Sequence, residues 1–352
     1  MQLTREQEQA LKILKARILA NERVSVFEGY SGTGKSTTLR FLLESLDYDE
    51  SEVHFCAYTG TASKLLMDAG LSASTIHRLI YEPIIIKGEC VGFSRKAREE
   101  LKKLKLIVVD EYSMLPQEIL VDLMSYDIPL LLVGDPAQLP PIGTPNQFIN
   151  AYDAILTQVQ RQALDSPILW AATKVRQGEV VKEGTYGDIL FVGRKHQLDS
   201  QWLRRDVQFI CGTNQTRHKI NLQVSGSPFP EVGDKIIFLK NDWNVGVVNG
   251  SVGYISKLGR EWGMYVLSVK VDDMYLSKYK AFYQEIPKRS FKKGISLFDK
   301  AAAITGHKVI GATIREPICI IDESYCFKEY AKNWIYTVLT RSTGEKPVAW
   351  LR

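Results

Sequence analysis

The chain has 352 residues, of which 45% are hydrophobic and 24% charged, and its formal net charge is +5. This composition excludes a disordered or fibrous protein. Because single hydrophobic cores stop growing at about 250–300 residues, the length predicts two α/β domains and a small insertion. The small basic excess mildly favours an anionic partner.

Neither the cysteines nor the first residues indicate export. The five cysteines form no Cys-x-x-Cys pair, as expected of thiols in a reducing compartment. Residues 1–23 carry apolar residues at helical spacing, which predicts an amphipathic helix and not a signal peptide. No run reaches the roughly 18 apolar residues that span a bilayer. We therefore expect a cytoplasmic protein, in the host cytoplasm if a phage encodes it.

Four short apolar runs without polar alternation follow that helix, which is typical of parallel strands buried on both faces. They are Val24–Glu28, Val53–Tyr58, Leu106–Val109 and Leu130–Val133. Because helical stretches separate them, we predict that residues 1–153 form an α/β domain with a parallel sheet. Ligands bind at the carboxyl ends of the strands in such sheets.

The turn after the first strand carries a phosphate-binding pattern, G-x-x-x-x-G-K-[ST], between a strand and a helix. Its glycines let the backbone wrap phosphate oxygens, and the helix N-terminus presents unpaired N–H groups. We expect Lys35 to reach the β- and γ-phosphates of ATP and Ser36 to bind Mg²⁺. The alternative is a glycine-rich turn with an incidental lysine. The candidate nucleotide-binding residues here are Gly29, Gly32, Thr33, Gly34, Lys35, Ser36 and Thr37.

Between residues 81 and 98, two short β-prone runs flank a Lys-Gly pair, which predicts a small inserted hairpin. Phe93 lies in this hairpin. Its side chain is either a wedge that stacks on bases or an aromatic packed against its own strands.

Two adjacent carboxylates, Asp110 and Glu111, directly follow the third strand. Acids after a buried strand are costly to place without a partner. We expect Asp110 to hold Mg²⁺ through water and Glu111 to orient and deprotonate the water that attacks the γ-phosphate. The fourth strand leads into a loop whose Gln138 is a candidate γ-phosphate sensor. A proline-stiffened surface turn is the alternative for this loop.

The pattern changes again near Ser227. Residues 227–299 contain short β-prone runs separated by Gly-Asp and Asn-Gly turns, which predicts a small β-barrel. Aromatic residues in 275–283 precede basic residues in 288–293, and these form either a stacking surface for bases or a solvated face over an aromatic core. The α/β pattern then returns, so residues 154–226 and 300–352 are predicted to form a second domain around the barrel.

These motifs together resemble those of superfamily 1 helicases, specifically the 5′→3′ subgroup (superfamily 1B) that includes RecD-like and Dda-like enzymes. The resemblance covers nearly the whole chain. It implies two RecA-like parallel-sheet domains of the P-loop NTPase class. A small β-hairpin would be inserted in the first domain, and a small SH3-like β-barrel in the second.

The resemblance also implies roles for individual residues. Gln7 resembles the family's adenine-reading glutamine, and Arg161 and Arg341 resemble arginines that contact the γ-phosphate from the second domain. An arginine supplied in this way neutralises charge on the transferred phosphoryl group and makes hydrolysis depend on domain closure. The residues that resemble the family's DNA-contacting positions are Thr59, Gly60, Thr61, His77, Phe93, Thr305 and His307.

One segment departs from the family pattern. The chain reads Thr-Gly-His-Lys-Val-Ile-Gly at residues 305–311, where the family usually has T-x-H-K-S-Q-G. The apolar Val309-Ile310 pair replaces a polar pair whose contact normally links the DNA and ATP sites, so we expect weaker coupling. His307 itself is either a DNA-facing residue or a buried histidine with backbone partners.

We therefore expect an ATP-dependent DNA helicase or translocase that uses Mg²⁺, moves along single-stranded DNA in the 5′→3′ direction and separates fork or tailed duplexes. The resemblance implies a monomer with replication or recombination proteins as candidate partners. Two alternatives are open. One is a P-loop ATPase that remodels protein complexes and ignores single-stranded DNA, and the other is an ATP-gated single-stranded DNA-binding clamp.

Overall fold

The computed structural model describes residues 2–86, 89–141, 146–149, 151–160, 165–198, 202–240, 242, 245, 247, 249–271, 274–283 and 296–352. The chain divides into two compact units. The first comprises Met1–Ile84 and Val91–Arg176, and the second comprises Ile85–Cys90 and Gln177–Arg352.

A six-stranded parallel sheet forms the centre of the first unit, in the order β3-β2-β6-β7-β1-β8. The remaining two strands, β4 and β5, pair with each other as the predicted hairpin. The strands are β1 (Val24–Gly29), β2 (Val53–Ala57), β3 (Ala73–Thr75), β4 (Tyr81–Ile86), β5 (Glu89–Arg95), β6 (Leu106–Asp110), β7 (Leu130–Gly134) and β8 (Ala154–Leu156).

Both faces of this sheet are buried. On β7, Leu130 and Leu132 contribute to one hydrophobic core, and Leu131 and Val133 contribute to the other. Because successive side chains of a strand point to opposite faces, a strand covered on both sides has no polar alternation. The four predicted strands are confirmed on this basis.

Helices cover the sheet. The first begins at a capping box, in which the Thr4 side chain accepts from the backbone of Gln7 and the Gln7 side chain accepts from the backbone of Thr4. No described helix has the length and apolar character needed to cross a membrane. The described α-helices of the first unit are α1 (Arg5–Leu19), α2 (Lys35–Ser45), α3 (Gly60–Asp68), α4 (Ile76–Ile80), α5 (Gln117–Met124) and α6 (Pro167–Arg176).

Strand β8 extends the first unit beyond the boundary predicted after residue 153. It pairs in parallel with β1, with Ala154 opposite Phe27 and Leu156 opposite Gly29. Helix α6 belongs to the same unit, which ends at Arg176. The sequence gives no signal for this continuation, because a three-residue edge strand leaves no clear apolar run, and the domain boundary itself stays a prediction.

The second unit contains another six-stranded sheet, in the order β17-β11-β18-β19-β10-β9, and all neighbouring strands are parallel except β9 and β10. Helices α7 (Asn214–Ser225) and α8 (Ala331–Leu339) also belong to this unit. The strands are β9 (Gly184–Tyr186), β10 (Leu190–Gly193), β11 (Gln208–Cys211), β12 (Lys235–Phe238), β13 (Val252–Glu261), β14 (Met264–Val271), β15 (Met274–Tyr283), β16 (Ser296–Lys300), β17 (Ala303–Thr305), β18 (Ile318–Ile321) and β19 (Val348–Leu351).

Strands β12 to β16 close into the predicted barrel. Its interior is aromatic: the rings of Tyr283 and Phe298 lie 5.5 Å apart, and Tyr279 packs against the same core. Tyr275 is exposed. The aromatic run of β15 is therefore largely core, as the second interpretation of this segment requires, whereas residues 288–293 lie outside the described residues.

Buried charges join the barrel to α7. Arg217 of α7 pairs with Asp299 at 2.6 Å, and the Lys300 Nζ donates to the Ser225 hydroxyl at 2.8 Å. Lys300 also lies 3.5 Å from the carboxylate of Asp234. Because removal of one partner would leave an uncompensated buried charge, these pairs constrain where the barrel sits within the second unit.

Candidate nucleotide and nucleic-acid sites

The central strands of the first sheet bring three predicted loops to one edge. Strands β6, β7 and β1 are neighbours and run in parallel, so their carboxyl ends lie side by side. The first loop follows Gly29 of β1, the second carries Asp110 and Glu111 after β6, and the third follows Gly134 of β7. The sheet order therefore assembles loops that are far apart in the sequence.

The phosphate-binding loop takes a backbone shape that requires glycine. Gly32 and Gly34 have φ values of 78° and 89°, in the left-handed region that disfavours other residues. A Cβ on Gly29 would lie 2.9 Å from both Lys35 Cγ and Thr33 Oγ1. Such tight curvature turns backbone N–H groups toward a bound anion.

Lys35 extends back over this loop from the first turn of α2. Its Nζ donates to the carbonyl oxygens of Gly29 at 2.6 Å and Tyr30 at 3.2 Å. The buried Thr33 hydroxyl donates to the Tyr30 carbonyl at 2.7 Å. The ammonium group is thus held at the centre of the loop, where the phosphates of a nucleotide would lie.

Two glutamines support the loop from outside. The Nε2 atoms of Gln7 and Gln160 both donate to the Thr33 carbonyl at 3.2 Å, and the Gln160 backbone N–H donates to Gly32 at 2.9 Å. A Cβ on Gly34 would lie 2.3 Å from Gln7 Nε2, so the glutamine approaches the loop closely. Gln7 therefore positions the phosphate loop, and adenine recognition by the same residue stays a prediction.

The acidic pair has an unusual backbone. Glu111 adopts φ 51° and ψ 42°, and its N–H donates to Asp110 Oδ1 at 3.0 Å. A non-glycine residue in this region costs free energy unless its surroundings hold it there. The next residue, Tyr112, provides that restraint.

Tyr112 is buried beneath the site. Its hydroxyl donates to Glu28 of β1 at 2.5 Å and lies 3.0 Å from the Phe148 carbonyl oxygen. Burial, followed by the hydrogen bond to Glu28, raises the pKa of the Tyr112 phenol well above its usual value. A Cβ on Gly134 would meet the Tyr112 ring at 2.8 Å, so β7 also packs against it. Tyr112 thereby fixes the backbone of Glu111 against both neighbouring strands.

The third loop reaches the acidic pair. Gln138 is buried, and its Nε2 lies 3.5 Å from Glu111 Oε1. Asp135, also buried, accepts from the backbone N–H of Ala137 at 2.9 Å and shapes the turn. Gln138 is thus placed beside the residue expected to activate water.

The side chains at this edge suit a magnesium ion. Ser36 and Thr37 present hydroxyls on the first turn of α2, and Asp110 presents a carboxylate at the end of β6. Mg²⁺ prefers oxygen ligands and is usually bound by one or two protein side chains, phosphates and water. Ser36 and Asp110 are the residues that would hold it. Among the described residues, no group of three or more His, Cys, Asp or Glu side chains could form an independent metal site.

Tyr30 of the phosphate loop carries a contact that the sequence reasoning missed. The Arg176 guanidinium lies 3.6 Å from the centre of the Tyr30 ring, close enough for a cation–π interaction. Helix α6 is therefore packed against the phosphate loop. No local signal links two residues so far apart in the sequence, which also explains why Glu28 and Tyr112 were missed.

The first DNA-facing candidates cluster on the edge of the first sheet. Thr59 caps α3, accepting from Ala62 N at 3.2 Å, and Gly60 and Thr61 form the first turn of that helix. His77 lies on α4. Its ring is 5.9 Å from that of Tyr58 and 5.5 Å from that of Tyr81, so the structure brings the two predicted loops together. Burial lowers the pKa of His77, which keeps it neutral at pH 7.

Phe93 lies on β5 of the hairpin, and 64% of it is exposed. The interpretation in which it packs against its own strands is therefore not supported. An exposed aromatic ring on a hairpin is available to stack on a base.

The candidate loop of the second unit follows β17. Thr305 ends that strand, and His307 lies on a single 3-10 turn, Gly306–Val309. Burial lowers the pKa of His307. Val309 and Ile310 are buried in the core of this unit, so these two side chains face the protein interior.

Arg341 directly follows the C-terminal end of α8 and is largely buried. Its Nε donates to the Thr337 carbonyl at 3.2 Å, and its Nη2 lies 3.4 Å from the Thr340 hydroxyl. A cation at a helix C-terminus is favourably placed. The guanidinium here is folded against its own helix, and contact with a γ-phosphate stays a prediction. Arg161, the other candidate, lies outside the described residues.

Comparison with known proteins identifies a matching family model and several relatives of this chain. A family model described as an AAA domain matches residues 2–194. The ATP-dependent RecD2 DNA helicase of Deinococcus radiodurans is 28% identical over 361 residues, covering 92% of this chain and 46% of that protein. The ATP-dependent DNA helicase dda of Enterobacteria phage T4 is 30% identical over 191 residues, covering 50% of this chain and 43% of that protein.

A solved structure shares the fold. Pif1 helicase from Bacteroides, in complex with ADP-AlF3 and single-stranded DNA, superposes with a TM-score of 0.60 at 21% identity, covering 99% of this chain and 92% of that one. The predicted fold class and the resemblance to superfamily 1B helicases are confirmed. The chain spans less than half the length of the RecD2 and dda relatives.

Proposed function

The chain belongs to the AAA-domain family whose model matches residues 2–194, and from this premise we propose that it is an ATP-dependent DNA helicase or translocase. The observation that carries the proposal is the convergence of Lys35, the Asp110-Glu111 pair and Gln138 at one edge of the first sheet. The helicase relatives support the choice of DNA as the partner.

In the proposed reaction, a water oxygen attacks the γ-phosphorus of ATP and the bond from that phosphorus to the β,γ-bridging oxygen breaks. Glu111 accepts the water proton, and ADP leaves with the electron pair of the broken bond. Lys35 neutralises charge on the β- and γ-phosphates, and Gln138 orients the attacking water beside Glu111. Bound Mg²⁺ supplies further charge neutralisation at the phosphate oxygens.

Arg341 completes the site in this proposal. The two units would close on ATP and open after its hydrolysis, and the extended arginine would stabilise charge on the transferred phosphoryl group. Arg161 is the second candidate for this role. We expect Arg341→Ala to lower ATP turnover by roughly 10³-fold or more, in the range of other arginine fingers, while a fluorescent ATP analogue binds with unchanged affinity. Normal turnover in this variant would contradict the role.

Movement along DNA would follow from alternating grip. Loops around Thr59, His77 and Thr305 would hold single-stranded DNA with different strength in the closed and open states. The 5′→3′ direction is part of the proposal because the motifs resemble that subgroup. Phe93 is proposed to separate the strands by stacking on a base at the junction.

Strand separation tests this function. A duplex with a 5′ single-stranded tail and one with a 3′ tail are each incubated with the full chain, Mg²⁺ and ATP, and Lys35→Ala is the blank. We expect unwinding of the 5′-tailed duplex and none in the blank. Failure on both substrates, with ATP hydrolysis intact, would reject the helicase function and leave a P-loop ATPase.

A further inference from the structure

Three aromatic rings join the candidate DNA loop of the second unit to α8. The ring of His307 lies 5.5 Å from that of Phe327, and Phe327 stacks on Trp334 of α8 at 5.6 Å with an interplanar angle of 19°. Trp334 is fully buried. The proposed function uses the loop around Thr305, on which His307 lies, but leaves Phe327 and Trp334 without a role.

The backbone of the loop also contacts the indole directly. A Cβ on Gly306 would lie 2.3 Å from Trp334 Nε1 and 2.9 Å from Trp334 Cε2. Real Cβ atoms do not approach other atoms so closely, so no larger residue fits here without movement of the loop or the indole. The position of the loop and the position of α8 therefore depend on each other.

The contact has an unfavourable feature that makes it sensitive to small displacements. In the described part of the chain, the buried indole N–H of Trp334 has no hydrogen-bond acceptor. A buried donor without an acceptor is costly, and a shift that supplies one is favoured. The Gly306 backbone lies against this N–H, so a small movement of the loop changes the surroundings of the indole.

Helix α8 connects this contact to the candidate arginine finger. Trp334 lies on α8, and Arg341 lies in the turn directly after the C-cap Thr340, where its backbone N–H donates to the Val338 carbonyl. The backbone carbonyl of Thr337, one turn after Trp334 on α8, accepts from Arg341 Nε at 3.2 Å. A short helix moves as a rigid element, so a displacement at Trp334 moves the Thr337 and Val338 carbonyls that hold Arg341.

We propose that Trp334 is a positioning residue that transmits single-stranded DNA binding at the Thr305–Lys308 loop to Arg341. The proposal rests on the function proposed above. Val309 and Ile310 are buried and apolar, so the route runs through Gly306 and the contacting rings of His307, Phe327 and Trp334 instead of the polar pair that the motif usually contains. The Arg341 side chain is released from α8 when DNA displaces the loop.

The test measures the ratio of ATP turnover with and without a saturating single-stranded oligonucleotide, together with the Kd for that oligonucleotide. Trp334→Phe keeps an aromatic ring stacked on Phe327 but removes the indole N–H and the part of the indole that faces Gly306. Gly306→Ala inserts a Cβ against the indole. The matched controls are Trp262→Phe, at an exposed barrel turn, and Gly259→Ala, whose Cβ would meet nothing closer than 3.8 Å.

We expect Trp334→Phe to retain turnover without DNA and its Kd for DNA, while the stimulation ratio falls by about five-fold or more, a usual size for coupling between sites. Gly306→Ala should also lower the ratio. In the Trp334→Phe background, where the smaller ring leaves room for the Cβ, Gly306→Ala should have no further effect. Both controls should behave as the wild type.

Unchanged stimulation in both single variants, with a stimulated wild type, would overturn this inference and leave the helicase proposal standing. Additive losses in the double variant would also overturn it, because two residues that act through one contact cannot contribute independently. A wild type that DNA does not stimulate at all would instead overturn the proposed function itself.

Discussion

The two units contain the same local feature, a parallel strand followed by a turn and a helix, with different contents. In the first unit, β1 leads into a glycine-rich loop and α2, and Lys35 extends over the loop. In the second unit, β11 leads through Gly212 and Thr213 into α7. The helix N-termini differ: Gly34 before α2 is left-handed and has no side-chain cap, whereas Thr213 before α7 is extended and its hydroxyl accepts from the backbone N–H of Thr216.

The second junction already holds a negative charge. Glu323 Oε2 accepts from the backbone N–H groups of Gly212 at 2.8 Å and Thr213 at 2.9 Å, and Glu323 Oε1 accepts from the Thr216 hydroxyl at 2.6 Å. A carboxylate at a helix N-terminus accepts hydrogen bonds from the unpaired N–H groups there and interacts favourably with the helix dipole. Glu323 thus occupies the position here that a phosphate would take in the first unit, and we expect no nucleotide to bind at this second junction.

The largest expected effect is at the first junction. Lys35→Ala removes the only side-chain cation in the phosphate loop among the described residues, and we expect ATP turnover to fall by roughly 10²–10³-fold or more. The equivalent change at the start of α7, Asn214→Ala, should leave turnover without DNA and ATP affinity near wild type. Steady-state hydrolysis measures turnover, and equilibrium binding of a fluorescent nucleotide measures affinity. Equal effects of Lys35→Ala and Asn214→Ala would contradict the difference proposed between the two junctions.

Removal of the internal carboxylate should affect folding instead of nucleotide binding. Glu323→Ala leaves the backbone N–H groups of Gly212 and Thr213 without this acceptor, along with the Thr213 and Thr216 hydroxyls. We expect the free energy of unfolding to fall by about 2–4 kcal/mol. Urea denaturation measures this change, with the exposed Glu329→Ala as the matched control. A gain of a second nucleotide site would confirm that Glu323 mimics a phosphate. Lower nucleotide affinity at the first junction would contradict the prediction that Glu323 affects folding and not nucleotide binding.

Tyr112→Phe tests how the first junction is held. Loss of the hydroxyl removes its hydrogen bond to Glu28 and its contact with the Phe148 carbonyl oxygen, and we expect a loss of about 1–3 kcal/mol in the free energy of unfolding. Because Glu111 then loses its support, turnover should fall several-fold while nucleotide affinity is retained. The control is Tyr152→Phe, on an exposed tyrosine. Loss of affinity with unchanged turnover at saturating ATP would contradict a positioning role.

The smallest expected effect concerns pH. Burial lowers the pKa of His54 and His77 in the first unit and of His307 in the second. The unfolded chain therefore binds more protons than the folded chain below the ordinary histidine pKa of about 6.5. Stability should be constant just above that pH and fall as the pH decreases through it. Denaturation at pH 7.5 and 5.5 measures the loss, which His307→Gln should reduce. A larger free energy of unfolding at pH 5.5 than at pH 7.5 would contradict this prediction.

Much of the first unit could be predicted from its sequence because its signals are local. The loop predicted to bind phosphate is contiguous, and the strands β1, β6 and β7 are apolar runs followed directly by loops that carry candidate site residues. Parallel strand geometry then predicts that Lys35, Asp110, Glu111 and Gln138 lie at one edge. The three-residue strand β8 was missed because it is too short for any periodic pattern.

The supporting contacts could not be predicted in the same way. Glu28 and Tyr112 are 84 residues apart in the sequence, and Glu323 lies 111 residues from Gly212. Trp334 and Gly306 each look ordinary in their own segments, and their contact depends on how α8 packs on a 3-10 turn. Such contacts arise from tertiary packing, so no spacing rule within a segment reveals them.

The measurement that tests the account most directly is steady-state ATP hydrolysis by the full chain with Mg²⁺, with and without a single-stranded oligonucleotide, and with Lys35→Ala as the blank. We predict turnover that the oligonucleotide strongly stimulates and that the blank lacks in both conditions. Turnover that is abolished in the blank but unchanged by the oligonucleotide would contradict the DNA-driven cycle and identify the chain as an ATPase with another partner.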